Sequence, residues 1–487
     1  MPQQGKQTVY DLVRYPATPM TRVDPARLAA LAILLGRPAV PFQACRVLEI
    51  GCGEGINLIN LALMAPHSAF TGFDYAATAI DMARETAALA GVRNVTFRHL
   101  DLLEAGTDLG SFDYVIAHGV YAWVPEAVRE ALMRLAGQCL SEHGLFFVSY
   151  NVAPGCHLRQ MLRDILLAET AAIADPAQKL QTVRERLELY SELWDRRDGL
   201  PKALAEEARR LTERPPAVVF HDELGEVYAP QTFGATIAHA GRHGLAYLCD
   251  ADPAHMAAAV MPDEQAALLL QDAGGDWLRF QERTDYVQLT RFRESVFCRA
   301  REPVGHAPAV ENLTPLYAFA AFSALPPEAD GAFAFAVDKG GSFTTHDPVF
   351  AAALTRLAQA APGFVALAGF PDASVRTGLL RLALAHVIFL RTEPYVCTYA
   401  PGERPLASPL ARVQAARGEA RLPSLRQINV DIGDATALEL IQLMDGTRTL
   451  PDIALALHGL ADMPLEELQR RLPDAVLAMA RLGLMLG

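Results

Sequence analysis

The residues best placed to do chemistry begin with Val47-Leu-Glu49-Ile-Gly51-Cys-Gly53-Glu-Gly55, an apolar run that carries a buried-position acid into a glycine-rich turn. Glycines let a backbone approach a ligand closely, and a helix that follows presents unpaired N–H groups to a carboxylate or phosphate. A dinucleotide fingerprint wants Gly-x-Gly-x-x-Gly, but here Ile56 holds the place of the third glycine. Two more acids follow at the tips of apolar runs, Asp74 after Thr71-Gly-Phe and Asp101 after Phe97-Arg-His-Leu. A carboxylate at the first tip suits the two hydroxyls of a ribose, and one at the second suits an exocyclic amine, with Leu102 to pack on a base. Each acid taken alone is equally a helix cap or a turn residue; the set predicts a nucleoside site.

Such a site needs a parallel sheet. Short runs rich in β-branched and aromatic residues at 46–50, 69–73, 95–99, 114–117 and 144–149 alternate with helical periodicity over 56–65, 77–90 and 126–141. This predicts an α/β fold of alternating strands and helices. Asp24-Pro25 opens a preceding helix that stops at Gly36. Residues 153–217 read as a helical insertion, and 244–249 and 293–298 as two further strands forming an antiparallel edge pair. The first unit is expected to span 1–302, a mixed α/β unit 303–410, closing with a strand at 394–399, and a winged-helix-like unit 411–487, with a boundary at 401–421.

The set Glu49, Gly51, Gly53, Gly55, Asp74 and Asp101 resembles class I S-adenosylmethionine-dependent methyltransferases. The pieces Tyr10-Asp-Leu-Val-Arg-Tyr15-Pro, His118-Gly-Val-Tyr121-Ala-Trp123-Val-Pro125, Val148-Ser-Tyr150-Asn151-Val-Ala-Pro154-Gly155 and Phe292-Arg-Glu-Ser-Val-Phe-Cys298 are similar to bacterial members with a methyltransferase regulatory domain, including the rickettsial protein-lysine methyltransferases. The likeness covers the first 300 residues, with the regulatory segment at about 218–300, and reaches more faintly to Leu443-Met-Asp445-Gly446-Thr447. It implies a Rossmann-like sheet, S-adenosylmethionine as cofactor with S-adenosylhomocysteine as product, and a cofactor set of Tyr15, Glu49, Gly51, Cys52, Gly53, Asn57, Asp74, Tyr75, Asp101, Leu102 and His118. Glu54 departs from the pattern, which more often has a small or apolar residue after the second glycine.

Methyl transfer from a sulfonium is an in-line displacement, so the acceptor lone pair must be held behind the methyl group; positioning of this kind supplies about 7–11 kcal/mol. A lysine acceptor must also lose a proton, which costs about 4.6 kcal/mol at neutral pH. The groups to meet these demands are expected after the fourth and fifth strands, where open α/β sheets place ligands: His118, Tyr121, Tyr150 and Asn151. Trp123 reads as core packing, and a turn held by Asn151 ahead of Pro154 is an equal account of Ser-Tyr-Asn.

Composition bounds the rest. The 487 residues carry 43 Lys+Arg against 56 Asp+Glu, a net charge of −13, which argues against nucleic acid as a partner because its backbone is bound through cations. Seven scattered cysteines without a Cys-x-x-Cys pair read as reduced thiols, and no apolar stretch predicts a leader or a membrane span, so a cytoplasmic protein is expected. His239, His243 and His255 lack a ligand-like spacing with cysteine or glutamate and read as surface or packing residues, so no metal is expected. The leading expectation is a methyltransferase acting on lysines of a protein or peptide. A small-metabolite methyltransferase and a cofactor-sensing regulatory protein without turnover are the rivals, and a nicotinamide oxidoreductase is more distant.

Overall fold

A computed structural model describes residues 13–252, 263–301, 304–460 and 463–487. His255 and Tyr10 lie outside them. At the centre is a sheet of seven strands: β1 (Arg46–Ile50), β2 (Ala69–Asp74), β3 (Val95–His99), β4 (Phe112–Ala117), β5 (Leu140–Asn151), β6 (Leu245–Asp250) and β7 (Phe292–Arg299). Their spatial order is β3-β2-β1-β4-β5-β7-β6. The first five are mutually parallel, and β7 runs antiparallel to both of its neighbours, β5 and β6. The two late strands are therefore an antiparallel pair, but the one met last in the chain is internal and β6 forms the edge. This explains the unbroken burial of residues 293–298, since a strand paired on both sides and covered on both faces has no solvent side.

Helices α1 (Pro25–Leu34), α2 (Ile56–Met64), α3 (Ala77–Leu89) and α4 (Glu126–Cys139) flank the parallel part. The Asp24 side chain caps α1 through the Ala26 amide at 3.0 Å, with Pro25 in the first turn as its missing N–H allows. Two apolar layers result. One face carries Val47, Phe70, Tyr114 and Phe147, the other Leu48, Ile50, Val115 and Val148, the alternation that a strand imposes.

The insertion forms α5 (His157–Thr170), α6 (Pro176–Asp195), α7 (Leu200–Thr212) and α8 (Pro216–Leu224), closed around their own core of Leu162, Leu166, Leu187 and Leu211. Then α9 (Phe233–Arg242) leads into β6, and α10 (Asp263–Asp272) and α11 (Trp277–Gln288) lead into β7. In the middle segment, β8 (Tyr317–Ala320), β9 (Phe322–Ala324), β10 (Phe333–Val337), β11 (Ser342–Thr345) and β12 (Val365–Ala366) surround α12 (Pro348–Ala360), and α13 (Ala373–Leu384) precedes β13 (Ile388–Arg391). The strand expected at 394–399 is instead irregular. Pro394 has no N–H for a ladder, and Tyr395 turns back to lie 3.9 Å under the Arg391 guanidinium.

The last unit comprises α14 (Pro409–Ala416), β14 (Arg421–Pro423), β15 (Asn429–Asp431), α15 (Ala435–Leu443), α16 (Leu450–His458) and α17 (Leu465–Arg481). The stretch 401–421 is thus no simple linker. It holds α14, and Leu410 together with Leu425 is fully buried in the same apolar cluster as the sheet. No helix among the described residues is long and apolar enough to cross a membrane.

Candidate functional site

The carboxyl ends of β1, β2 and β4 meet at the point where strand order reverses, the place where open α/β sheets bind ligands. Residues 51–55 form the bend there. Gly51 has φ +72°, and a Cβ on it would come within 2.7 Å of Val120 Cγ2, so the close approach of the bend to the loop after β4 requires glycine. The amides of Gly51 and Cys52 donate to the Phe73 carbonyl at 2.9 and 3.1 Å, and the Gly53 amide donates to Asp74 Oδ2 at 2.9 Å. Asp74 also accepts from the Ala76 amide at 2.8 Å. Its carboxylate is thereby locked against the bend, and each of its oxygens can accept further hydrogen bonds.

Glu49 is 3% exposed. Its Oε1 accepts from Asn57 Nδ2 at 3.1 Å, whereas Oε2 is buried without a hydrogen-bond partner. Burial, with a smaller push from Asp74, raises its carboxyl to about 8. An orphaned carboxyl oxygen in a cradle of glycines asks for a cationic donor. Asn57 is itself fully engaged, since its Oδ1 accepts from the Met20 amide at 3.2 Å and from Gln427 Nε2 at 3.3 Å. It therefore orients Glu49 rather than facing the cradle. Gln427, buried and at φ +55°, comes from the carboxyl-terminal unit and braces α2 from behind. Sequence reasoning missed it, and no local signal marks a contact between residues 370 positions apart.

Asp101 and Leu102 follow β3; Asp101 Oδ1 accepts from the Leu103 amide at 2.9 Å and Leu102 is buried. Tyr75 is exposed beside Asp74. The Cys52 thiol is buried against Gly72, and burial pushes it well above its usual range, so only its backbone faces the bend. Glu54, the departure from the family pattern, is answered by Arg14, whose Nη2 lies 2.7 Å from Glu54 Oε2 while its Nη1 reaches Glu419 Oε1 at 2.7 Å. Next to it, Tyr15 sets its ring edge-on to His221, 5.5 Å between centroids.

The four residues considered for catalysis divide between the two faces of the sheet. His118 stacks on Phe147 at 6.1 Å and meets Phe292 edge-on at 6.3 Å. The packed apolar surroundings, and more weakly Arg22, pull its imidazole down to about 4, so it is neutral at physiological pH. Asn151 pairs across the ladder with Phe292, is 6% exposed, and keeps a buried Oδ1 with no partner. Tyr121 and Tyr150 instead enter the apolar cluster on the opposite face, each 1% exposed. Their hydroxyls lie 2.8 Å from His239 Nδ1 and 3.2 Å from Ser295 Oγ. The alternation of β5 makes this unavoidable, because Tyr150 and Asn151 are neighbours and must point to opposite sides.

Residues 41–211 match the methyltransferase domain family, 215–299 the predicted methyltransferase regulatory domain, and 403–469 the PKMT C-terminal winged helix domain. The Rickettsia prowazekii protein RP028 is 30% identical over 219 residues, 45% of this chain and 88% of that protein. The chain belongs to the class I S-adenosylmethionine-dependent methyltransferases. A second protein of that organism, RP789, is 30% identical over 290 residues, 59% of this methyltransferase, which spans only about half (52%) of RP789. The structure of PKMT2 from Rickettsia typhi in complex with AdoHcy superposes with a TM-score of 0.85 at 21% identity, covering 97% of the methyltransferase and 100% of that chain, and so shares its fold throughout.

The residues at the cradle fit the family's cofactor. Glu49 Oε2 lacks a donor that an amino-acid ammonium supplies, and a side chain at Gly51 would obstruct the bend. One consequence is testable by pH. With its carboxyl raised above the unfolded value, Glu49 holds a proton in the folded protein that the unfolded chain has released. It therefore costs stability progressively as pH rises from about 4.5 to about 8. A cationic ligand needs the ionised form, so binding of S-adenosylhomocysteine at pH 7 is expected to release a proton and to tighten as pH rises toward 8. Calorimetry in buffers of different ionisation enthalpy reads this directly, and Glu49→Gln should abolish the buffer dependence. An unchanged dependence in that variant would remove Glu49 from the site.

Proposed function

We propose that this methyltransferase acts on lysine side chains of a protein substrate. The bound cofactor supplies an electrophilic methyl group on a sulfonium. In this reading Glu49 takes the ammonium of its amino-acid end, and Gly51, Cys52 and Gly53 meet that end with backbone only. Asp74 takes the ribose hydroxyls, Asp101 the adenine amine, and Leu102 and Tyr75 flank the base. Tyr15 and Asn57 hold the surrounding wall and Glu49 in place.

The observation that carries the acceptor assignment is the unpartnered Asn151 Oδ1 on the ladder partner of Phe292, with the neutral His118 ring 6.3 Å from that same phenylalanine. An amide oxygen and an uncharged imidazole accept hydrogen bonds from an amine, and the buried Phe147 ring stacked on His118 makes that side of the site apolar. Desolvation favours the neutral amine, the nucleophilic form. A net charge of −13 suits a cationic segment as partner, and a cytoplasmic location and the division into units near residues 302 and 410 belong to the same reading.

The test is transfer of a tritiated methyl group into whole-cell protein and metabolite fractions, with acid hydrolysis of the protein. Methyl-lysine is expected; label confined to small molecules would replace this reading by a metabolite methyltransferase. Substituting His118→Ala is expected to lower kcat by about 10²-fold, while the Kd for S-adenosylhomocysteine moves by less than about tenfold. A variant with undiminished kcat would exclude His118 from the acceptor side.

A further inference from the structure

We propose that the methyltransferase carries a binding site for a divalent transition-metal cation of the zinc class, made by His239, His243 and Glu130 where the regulatory segment meets the catalytic sheet. His239 on α9 and His243 at its carboxyl-terminal cap are four residues apart and so share one side of the helix, their rings 5.7 Å apart. Glu130 projects from α4 between them. His239 Nε2 is 2.9 Å from Glu130 Oε2, and His243 Nε2 is 2.8 Å from Oε1. The ligand atoms all lie within 4.8 Å of one another. Tetrahedral zinc with bonds near 2.0–2.2 Å separates its donors by about 3.3 Å, so seating an ion requires the half-exposed carboxylate to swing back from the two nitrogens and the imidazoles to adjust around it.

Hydrogen bonding alone does not account for the cluster. His239 Nε2 has hydrogen-bond geometry toward Glu130, but His243 Nε2 is buried and makes no hydrogen bond despite its short distance to Oε1. That nitrogen thus has a short contact to Glu130 but no hydrogen bond, and a cation held between the three side chains would give it a partner. The scaffold is built for close approach: a Cβ on Gly137 of α4 would lie 2.3 Å from the His243 carbonyl oxygen, so only glycine lets the end of α9 seat there.

Behind His239, the fully buried Tyr121 hydroxyl sits 2.8 Å from Nδ1 and holds the ring with Nε2 outward. Metal-binding histidines characteristically have an outer-shell partner on the other ring nitrogen, and here a hydroxyl takes that place. Among the charged groups nearby, Arg242 Nη2 is 3.8 Å from Glu130 Oε2 but is exposed and has water as its alternative. Arg129 bears electrostatically on Tyr121 behind the cluster. Two imidazoles and a carboxylate suit zinc, nickel or copper over magnesium or calcium, with water completing the coordination. Such an ion would pin α9 to α4 and, through Tyr121, the loop that also carries His118.

The experiment is calorimetric titration of the EDTA-stripped full-length chain with zinc chloride, with cobalt(II) absorption as the spectroscopic counterpart and far-UV circular dichroism reporting the fold. One equivalent is expected, with His243→Gln and Glu130→Gln each weakening it by at least about tenfold. Tyr121→Phe, which removes no ligand, is expected to weaken it by about 10–100-fold. If Tyr121→Phe or His239→Gln fails to fold, the half-exposed Glu130 and the cap residue His243 still carry the test. Absence of saturable binding, or an isotherm unchanged in His243→Gln as cysteine-bound zinc would give, overturns the proposal.

Discussion

Asp74→Ala is expected to weaken S-adenosylhomocysteine binding by about 10²–10⁴-fold, because two hydrogen bonds to a charged acceptor are worth about 1.5–3 kcal/mol each. The effect should exceed that of any other single acid at the sheet tips. Asp74 is both the expected ribose acceptor and the anchor of the glycine bend, accepting from the Gly53 amide at 2.9 Å and the Ala76 amide at 2.8 Å. Its loss frees the bend as well as removing the contact. Asp101→Ala, whose carboxylate serves mainly its own turn through Leu103, should cost about tenfold. Isothermal calorimetry with S-adenosylhomocysteine decides the matter. A Kd for Asp74→Ala within about threefold of the parent would mean that the ribose lies elsewhere.

The second large effect concerns the sheet itself. Arg293 on β7 is 1% exposed and is held between Asp250 and Asp285, which are 0% and 2% exposed. Its Nε and Nη2 donate to the two oxygens of Asp285 at 2.8 Å each, its Nη1 donates to Asp250, and its guanidinium lies 4.4 Å over the Phe233 ring. Arg293→Ala would leave two carboxylates buried without their counterion, which costs about 3–5 kcal/mol. Urea denaturation should show the midpoint falling by that equivalent. Adding Asp250→Asn and Asp285→Asn to Arg293→Ala should recover much of it, since the penalty is the unpaired charge rather than the lost arginine. A single variant as stable as the parent would show that the carboxylates have another means of neutralisation.

Much of the candidate site was legible because its signals are local. The five parallel strands and three helices between them follow from alternation and three-to-four periodicity, with Glu49 inside β1, Asp74 at the end of β2 and Asp101 just beyond β3, as that periodicity predicts. The class of sheet, the family and its cofactor were likewise within reach of the motif order. The catalytic candidates were less so. Naming Tyr150 and Asn151 together sets adjacent strand residues to one task, although a strand sends them to opposite faces; the buried environment of Tyr121 could not be read from its place in a loop.

Other features had no local trace. Gln427 bracing Asn57, Arg14 answering Glu54, and α14 packing into the sheet's core join segments hundreds of residues apart. The same holds for His239 and His243, whose spacing gave no reason to look for Glu130 across the groove between two helices.

The sequence by itself therefore determined the order of strands and helices, the glycine bend and the acids at the strand tips, because each depends on backbone preference and burial within a few neighbouring residues. Only the tertiary structure decided which face each side chain enters, which carboxyl loses its solvation and which distant groups come within contact of one another. Those outcomes depend on long-range packing, and one chain's pattern of apolar and polar residues is compatible with many such pairings until the fold selects among them.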